Sequence, residues 1–213
     1  MRVSTPSLQT QFLQQAERQL LIYSLMMRYA FLILPAAIAW ACVSNANAQT
    51  FSVCHGYGCT FKTSVTLSPA DRGRIASIMK SGGKSAQAER AAVRRAVQIF
   101  ERRSAQIIGI RDRPKMDFGQ GRERGQMHCV DEAANTGGFL SYLQRAGLLR
   151  HHTVGNRDSR GSFLDGRYPH FTAVLRDRSG TSWAVDSWYE PAGGAPDVMR
   201  LSEWKERGYG GQR

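Results

Sequence analysis

The sequence predicts an α+β fold, helical in its N-terminal half and then built on a small antiparallel sheet. Three observations lead there. Apolar residues recur every three or four positions between residues 68 and 107, and the same period returns after residue 129. Beyond Gly147 the pattern changes to short runs rich in β-branched and aromatic residues.

The chain opens on a segment unlike a folded domain. Arg28 precedes an apolar run from Tyr29 to Val43, interrupted by Pro35, and Ser44-Asn45-Ala46-Asn47-Ala48 follows. A basic flank, a short apolar core and an Ala-x-Ala end have the layout of a signal peptide cleaved before Gln49. Residues 1–48 are therefore expected to be an N-terminal extension and signal peptide, with Met26 or Met27 as an alternative start, and residues 49–213 one domain. The expected location is periplasmic or secreted, with no membrane span after cleavage.

The charge balance points the same way. With 29 basic and 17 acidic residues the net charge is +12, and the removed segment holds only Arg2, Arg18 and Arg28 against Glu17. An exported protein this basic meets anionic envelope polymers, lipid headgroups or acidic proteins rather than nucleic acid, the other reading being an arginine-rich composition that serves only solubility. No helix-turn-helix pattern or aromatic-and-basic single-strand platform accompanies the charge.

Ser68-Pro69-Ala70-Asp71 supplies an N-cap, a proline at the first helical position and an early acid, predicting a short helix that ends near Ser81-Gly82-Gly83. Ser85 caps a longer helix with Val93, Ala96, Val97, Phe100 and Ile107 on its apolar stripe. Arginines at 90, 94, 95, 102 and 103 are read as its solvated face. Residues 111–126, polar and glycine-rich, are expected to be loop.

A third helix is predicted from Cys129, with Ala133, Gly137, Leu140 and Leu143 on one stripe and Gly147 as its stop. Gly137-Gly138 is expected to let it pack closely on a sheet. Residues 150–154 form a first short strand, and a polar loop runs from 155 to 166. Residues 170–175 and 183–189 then form a hairpin about Asp177-Arg178-Ser179-Gly180, and a short helix follows near 201–207.

Cysteine usage singles out one thiol. Cys54 and Cys59 flank His55-Gly56-Tyr57-Gly58, whose glycines let the chain turn sharply enough for a local disulfide. A metal site from both cysteines and His55 is the competing reading, but no second ligand pair has zinc spacing. No metal or cofactor is implied. With Cys42 in the segment expected to be removed, Cys129 is left as the free thiol of the mature chain, at a helix N-terminus where the dipole favours a thiolate. A hairpin centred on Arg178 places His170 across from Asp186 on one face. The expected catalytic set is Cys129 as nucleophile, His170 as base and Asp186 orienting the imidazole. The Cys129 N–H would serve the oxyanion, with Gln126 a candidate second donor. His128 either contacts substrate or covers the helix start, and His151 and His152 read as ordinary exposed residues at a strand start.

The order Cys129, His170, Asp186, with Cys-x-Asp-x-Ala at Cys129, Asp131 and Ala133, His-Phe-Thr-Ala-Val-Leu from 170 and Trp-Ala-Val-Asp from 183, resembles the bacterial transglutaminase-like cysteine proteinases. The resemblance covers about residues 126–190. It implies a papain/transglutaminase-like core in which the cysteine helix packs on an antiparallel sheet, and a cysteine peptidase or amidase, transferase activity included, acting on a protein or peptide of the cell envelope. His128 before the cysteine and the arginine-rich helical half depart from that pattern. The alternative is a catalytically inactive module that binds the envelope through its basic surface.

Overall fold

The computed structural model describes residues 18–23, 48–109, 122–162, 164, 169–191 and 193–207. The chain divides into two compact units, Met1–Asn47 and Ala48–Arg213. Of the first, residues 18–23 are helical and exposed. The expected signal core, Ala46 of the cleavage motif, residues 111–121 of the first expected loop, and Phe163 and residues 165–166 of the second lie outside the described residues. Among the described residues no helix is long and apolar enough to cross a membrane.

The second unit is α+β, as expected. It begins with an antiparallel hairpin absent from the sequence expectation, β1 (Thr50–His55) and β2 (Phe61–Thr66). Its inward side chains, Phe51, Val53 and Val65, enter the hydrophobic core. Thr50-Phe51-Ser52-Val53 does alternate polar and apolar, a strand signal the sequence expectation passed over, whereas β2 buries only Val65 fully and its pattern is weak.

Helix α1 (Pro69–Gly82) starts where its cap demands: the Ser68 side chain accepts from the Asp71 N–H, and the Asp71 carboxylate accepts from the Ser68 N–H. Helix α2 (Ala86–Ile108) starts at Ser85, which accepts from the Ala88 N–H, and ends at left-handed Gly109. A Cβ at Gly82 would stand 2.3 Å from that of Ala92, so only glycine permits this approach of the two helices. Ile107, placed on the apolar stripe by its spacing, is exposed.

The arginines of α2 do more than solvate a face. Arg94 donates to the Pro196 carbonyl, Arg102 to that of Gly193 and Arg103 to that of Thr66, while Arg90 lies 3.4 Å above the Trp183 ring. Long side chains on an outward face reach backbone brought alongside by the fold, a partnership that helical spacing does not encode.

Helix α3 (Cys129–Arg145) packs on the β1 hairpin and on a four-stranded antiparallel sheet of order β3 (His152–Arg160), β4 (His170–Asp177), β5 (Ser182–Asp186) and β6 (Asp197–Arg200). A final turn, α4 (Leu201–Glu206), closes the described chain. Phe100 stacks on Phe139 at 4.7 Å and meets Phe51 edge-on at 5.0 Å, joining α2, α3 and the hairpin in one core.

Three further expectations are corrected. β3 runs to Arg160, not 154, because pairing with β4 through a one-residue bulge between Gly155 and Asp158 satisfies a polar segment that side-chain pattern alone reads as loop. β6 lies in what read as tail. Gly137 and Gly138 face open space, so the close packing expected of them is absent; Ala133, Thr136, Leu140 and Leu143 are the buried side instead.

Candidate active site

Cys129 is the first residue of α3, buried, and free of disulfide pairing. The position follows from the carboxylate three residues into the helix start. Asp131 accepts from the His128 N–H at 3.3 Å and also from the Tyr57 and Cys59 N–H groups at 2.8 and 2.6 Å. One buried carboxylate thus fixes the helix N-terminus and docks the 54–59 loop onto it. Cys54 and Cys59 are joined in a disulfide with Cα atoms 4.4 Å apart, which takes both sulfurs of the competing metal reading. Residues 56–59 all have positive φ, and the Gly56 N–H donates to the Gln126 carbonyl at 2.7 Å. Asn135, a turn further along α3, pairs with both backbone groups of Cys54.

His170 begins β4 and Asp186 ends β5. Their side chains meet, His170 Nε2 standing 2.7 Å from Asp186 Oδ2. The route differs from the expected one. Ala173 pairs with Val185 and Arg176 with Ser182, so the hairpin is centred on residue 179 and Thr172 falls opposite Asp186. His170 is then the diagonal neighbour. Moving a hairpin centre by one residue changes the register by two, so face parity survives and no bulge is needed. The shift originates in the turn, where the Asp177 carboxylate accepts from the Ser179 and Thr181 N–H groups and from the Trp183 indole. These bonds hold its carboxyl down at about 2, with the Ser179 hydroxyl first and the Trp183 indole next.

Asp186 is held on every side. Trp204 donates its indole N–H to Oδ2 at 2.7 Å, and the Trp188 N–H reaches Oδ1 at 3.2 Å. Around the imidazole stand Trp188, Tyr189 and Trp204, at centroid distances of 4.7, 5.5 and 5.5 Å. Buried Arg160 donates to the Tyr189 hydroxyl and the Trp204 carbonyl, locking two of these walls. Burial, followed by the charge of Asp186, pushes the Tyr189 phenol up to about 12, so it stays neutral. Thr136 of α3 shares a 3.0 Å hydrogen bond with Ser187, tying the cysteine helix to the strand end that carries Asp186.

Burial opposes charge on the His170 ring. The hydrogen bond and charge of Asp186, and after them the influence of Cys129, outweigh it and raise the imidazole to about 9. Cys129 is thus the second side chain, after Asp186, that favours the charged ring. Nδ1, the ring nitrogen that Asp186 does not use, is buried and makes no hydrogen bond among the described residues.

The chain matches no protein-family model, no curated protein and no solved structure. The site is accordingly read from its own atoms. Gln126, the candidate second oxyanion donor, is buried and gives its side-chain amide to the Met127 carbonyl at 3.3 Å. His55 is wholly buried: its Nδ1 accepts from the Gly125 N–H, Nε2 contacts the Thr63 hydroxyl, and burial, then Arg124, lowers its pKa against an opposing pull from Asp131. It supports the loop. A cleft of about 240 Å³ bordered by Thr50, Ser52, Asn135 and Arg145 does not include Cys129, so chemistry and not cavity size locates the candidate site.

Sequence reasoning missed Asp131, Trp204 and Arg160 as supports. Asp131 was legible in part, since an acid three residues into a helix is a capping signal. Nothing local connects Trp204 to Asp186, eighteen positions away, or Arg160 to Tyr189.

Proposed function

We propose that this chain is an exported thiol-dependent acyl-transfer enzyme, a cysteine peptidase or amidase acting on a protein or peptide through Cys129, His170 and Asp186. One observation carries the reading. A buried histidine is oriented by a buried carboxylate through one nitrogen, and its other nitrogen is left unpartnered while the ring is coupled to a free thiol at a helix start. The resemblance to transglutaminase-like cysteine proteinases agrees by analogy, and the Cys54–Cys59 disulfide agrees with an oxidising compartment.

The chemistry follows from the charges. At neutral pH an imidazolium at His170 supplies the positive neighbour that a thiolate needs. The Cys129 sulfur attacks the acyl carbon, and the carbonyl electron pair moves onto oxygen. When the intermediate collapses, the C–N bond breaks and His170 gives its Nδ1 proton to the departing amine. With the sulfur acylated, its negative charge no longer raises the imidazole. His170 is then better suited to take a proton from water or an acceptor amine, whose attack releases the acyl group and restores the thiolate. Asp186, held by Trp204 and the Trp188 N–H, keeps the ring oriented throughout.

Alkylation tests this reading without knowledge of the substrate. Iodoacetamide is expected to label Cys129 of the folded protein at neutral pH at least about tenfold faster than glutathione, with the advantage lost in His170→Ala. A Cys129 that is inert in the folded wild-type chain would falsify the catalytic reading. Salt-sensitive retention on an anionic polymer, unchanged by Cys129→Ala, would then favour the binding module.

A further inference from the structure

Two buried imidazole nitrogens among the described residues have no hydrogen-bond partner, and both belong to the surroundings of Cys129. One is His170 Nδ1, used above. The other is Nε2 of His128, the residue immediately before the thiol. We infer that His128 donates from Nε2 to the oxygen of the acyl group under attack, as the second oxyanion donor beside the Cys129 N–H. This inference rests on the thiol reading and deepens it.

The local chemistry favours the assignment. N–H groups in the first turn of a helix lack carbonyl partners four residues back, so the Cys129 N–H has no intrahelical acceptor and is available to an oxygen arriving at the thiol. The Gln126 amide is turned onto the Met127 carbonyl, which engages one of its two N–H donors. His128 is 8% exposed. Leaving its nitrogen unpaired in such surroundings is unfavourable unless another state of the protein supplies an acceptor. An acyl oxygen that gains negative charge as the sulfur adds is such an acceptor.

The ring is also positioned before any substrate arrives. Asp131 takes the His128 N–H at 3.3 Å and, through the same oxygen, the Tyr57 N–H at 2.8 Å. The Tyr57 ring meets the His128 ring edge-on at 5.3 Å. Tyr57 lies inside the loop closed by Cys54 and Cys59. The disulfide thereby braces an oxyanion donor, and a donor fixed in advance needs no reorganisation when charge develops.

Two reagents separate this role from a general effect on the thiol. With p-nitrophenyl acetate the Cys129 thiolate adds to the carbonyl carbon, the electron pair moves to oxygen, and collapse expels p-nitrophenolate to leave an acetyl thioester. Iodoacetamide alkylates the same sulfur by displacing iodide, and no oxyanion forms. His128→Phe keeps a ring against Tyr57 but has no donor, and His128→Gln keeps an N–H. We expect His128→Phe to slow acetylation of Cys129, corrected with Cys129→Ala, by at least about tenfold while alkylation stays within about twofold, and His128→Gln to recover most of the loss. His128→Ala serves as the donor-free variant if circular dichroism shows His128→Phe misfolded. Equal slowing of both reactions overturns the inference, since His128 then acts on the thiol itself. Unchanged acetylation overturns it as well. A wild-type Cys129 inert to both reagents instead marks failure of the thiol reading.

Discussion

Among the described residues the domain buries two histidine–carboxylate pairs, and they end differently. Glu89 and His152 meet at 2.9 Å, and His170 and Asp186 at 2.7 Å. In the first pair every group is used. Glu89 accepts from the N–H groups of Arg150, His151 and His152 as well as from the His152 ring, and Arg90 donates to the remaining ring nitrogen. A guanidinium only donates, so His152 Nε2 is an acceptor and the proton sits on Nδ1. This pair fastens the start of β3 to α2 and has no valence left for chemistry. In the second pair the carboxylate is equally well held, yet His170 Nδ1 is left over and the ring is coupled to a thiol. The occupancy of the second ring nitrogen distinguishes a structural histidine from one suited to proton transfer.

The largest test of that contrast is Glu89→Ala. It strands three backbone donors and the His152 ring, and is expected to lower unfolding free energy by about 3–5 kcal/mol in denaturant titration. In any fraction still folded, iodoacetamide labelling of Cys129 is expected to keep its wild-type rate. A mild effect on stability would remove the structural half of the comparison. His170→Ala should do the reverse. Asp186 keeps Trp204 and the Trp188 N–H, so stability changes less than in Glu89→Ala, whereas the alkylation rate of Cys129 falls by at least about tenfold.

The pH dependence should separate the pairs next. His170 is raised from 6.5 to about 9, so its contribution to stability is complete below about pH 6.5 and disappears as pH rises through 9, on the order of 1–3 kcal/mol. Asp186→Asn removes the leading cause that raises the ring, and its urea midpoint should vary less over that window. The Glu89 carboxyl is lowered: burial opposes ionisation, but the Arg150 N–H, followed by His152 and the His151 N–H, outweighs it. Its contribution is present above the ordinary carboxyl value of 4.5 and is lost as pH falls below it. A wild-type midpoint that is flat from pH 6.5 to 9 would contradict the first assignment. The smallest effect belongs to Trp204→Phe, which keeps the wall beside His170 but deletes one bond to Asp186. It is expected to cost about 1 kcal/mol and to slow alkylation only a few-fold, measured with the same reagents.

The histidine comparison also shows where sequence reading succeeds. His151 and His152 stood together at a strand start and read as ordinary exposed residues, yet His152 is 4% exposed. Its partner is Glu89, sixty-three positions earlier, and no spacing rule links them. His170 and Asp186 lie sixteen positions apart across one turn, close enough in sequence for face parity to be calculated without the fold. The predicted opposition was off by one turn position, and the even periodicity of the strands absorbed the error.

What the sequence determined by itself is local. The Ser68 and Ser85 caps started α1 and α2, a helix began at Cys129, and two glycines between nearby cysteines permitted the disulfide that leaves Cys129 free. Each depends on groups within a few residues of one another, where backbone geometry alone decides the contact. Tertiary structure decided the rest: Trp204 on Asp186, the disulfide loop on Asp131, the arginines of α2 on distant carbonyls, and the burial that leaves His128 Nε2 and His170 Nδ1 unpartnered. A polar atom's partners depend on which segments the fold brings together, and a buried atom without one is visible only when all of its neighbours are in place.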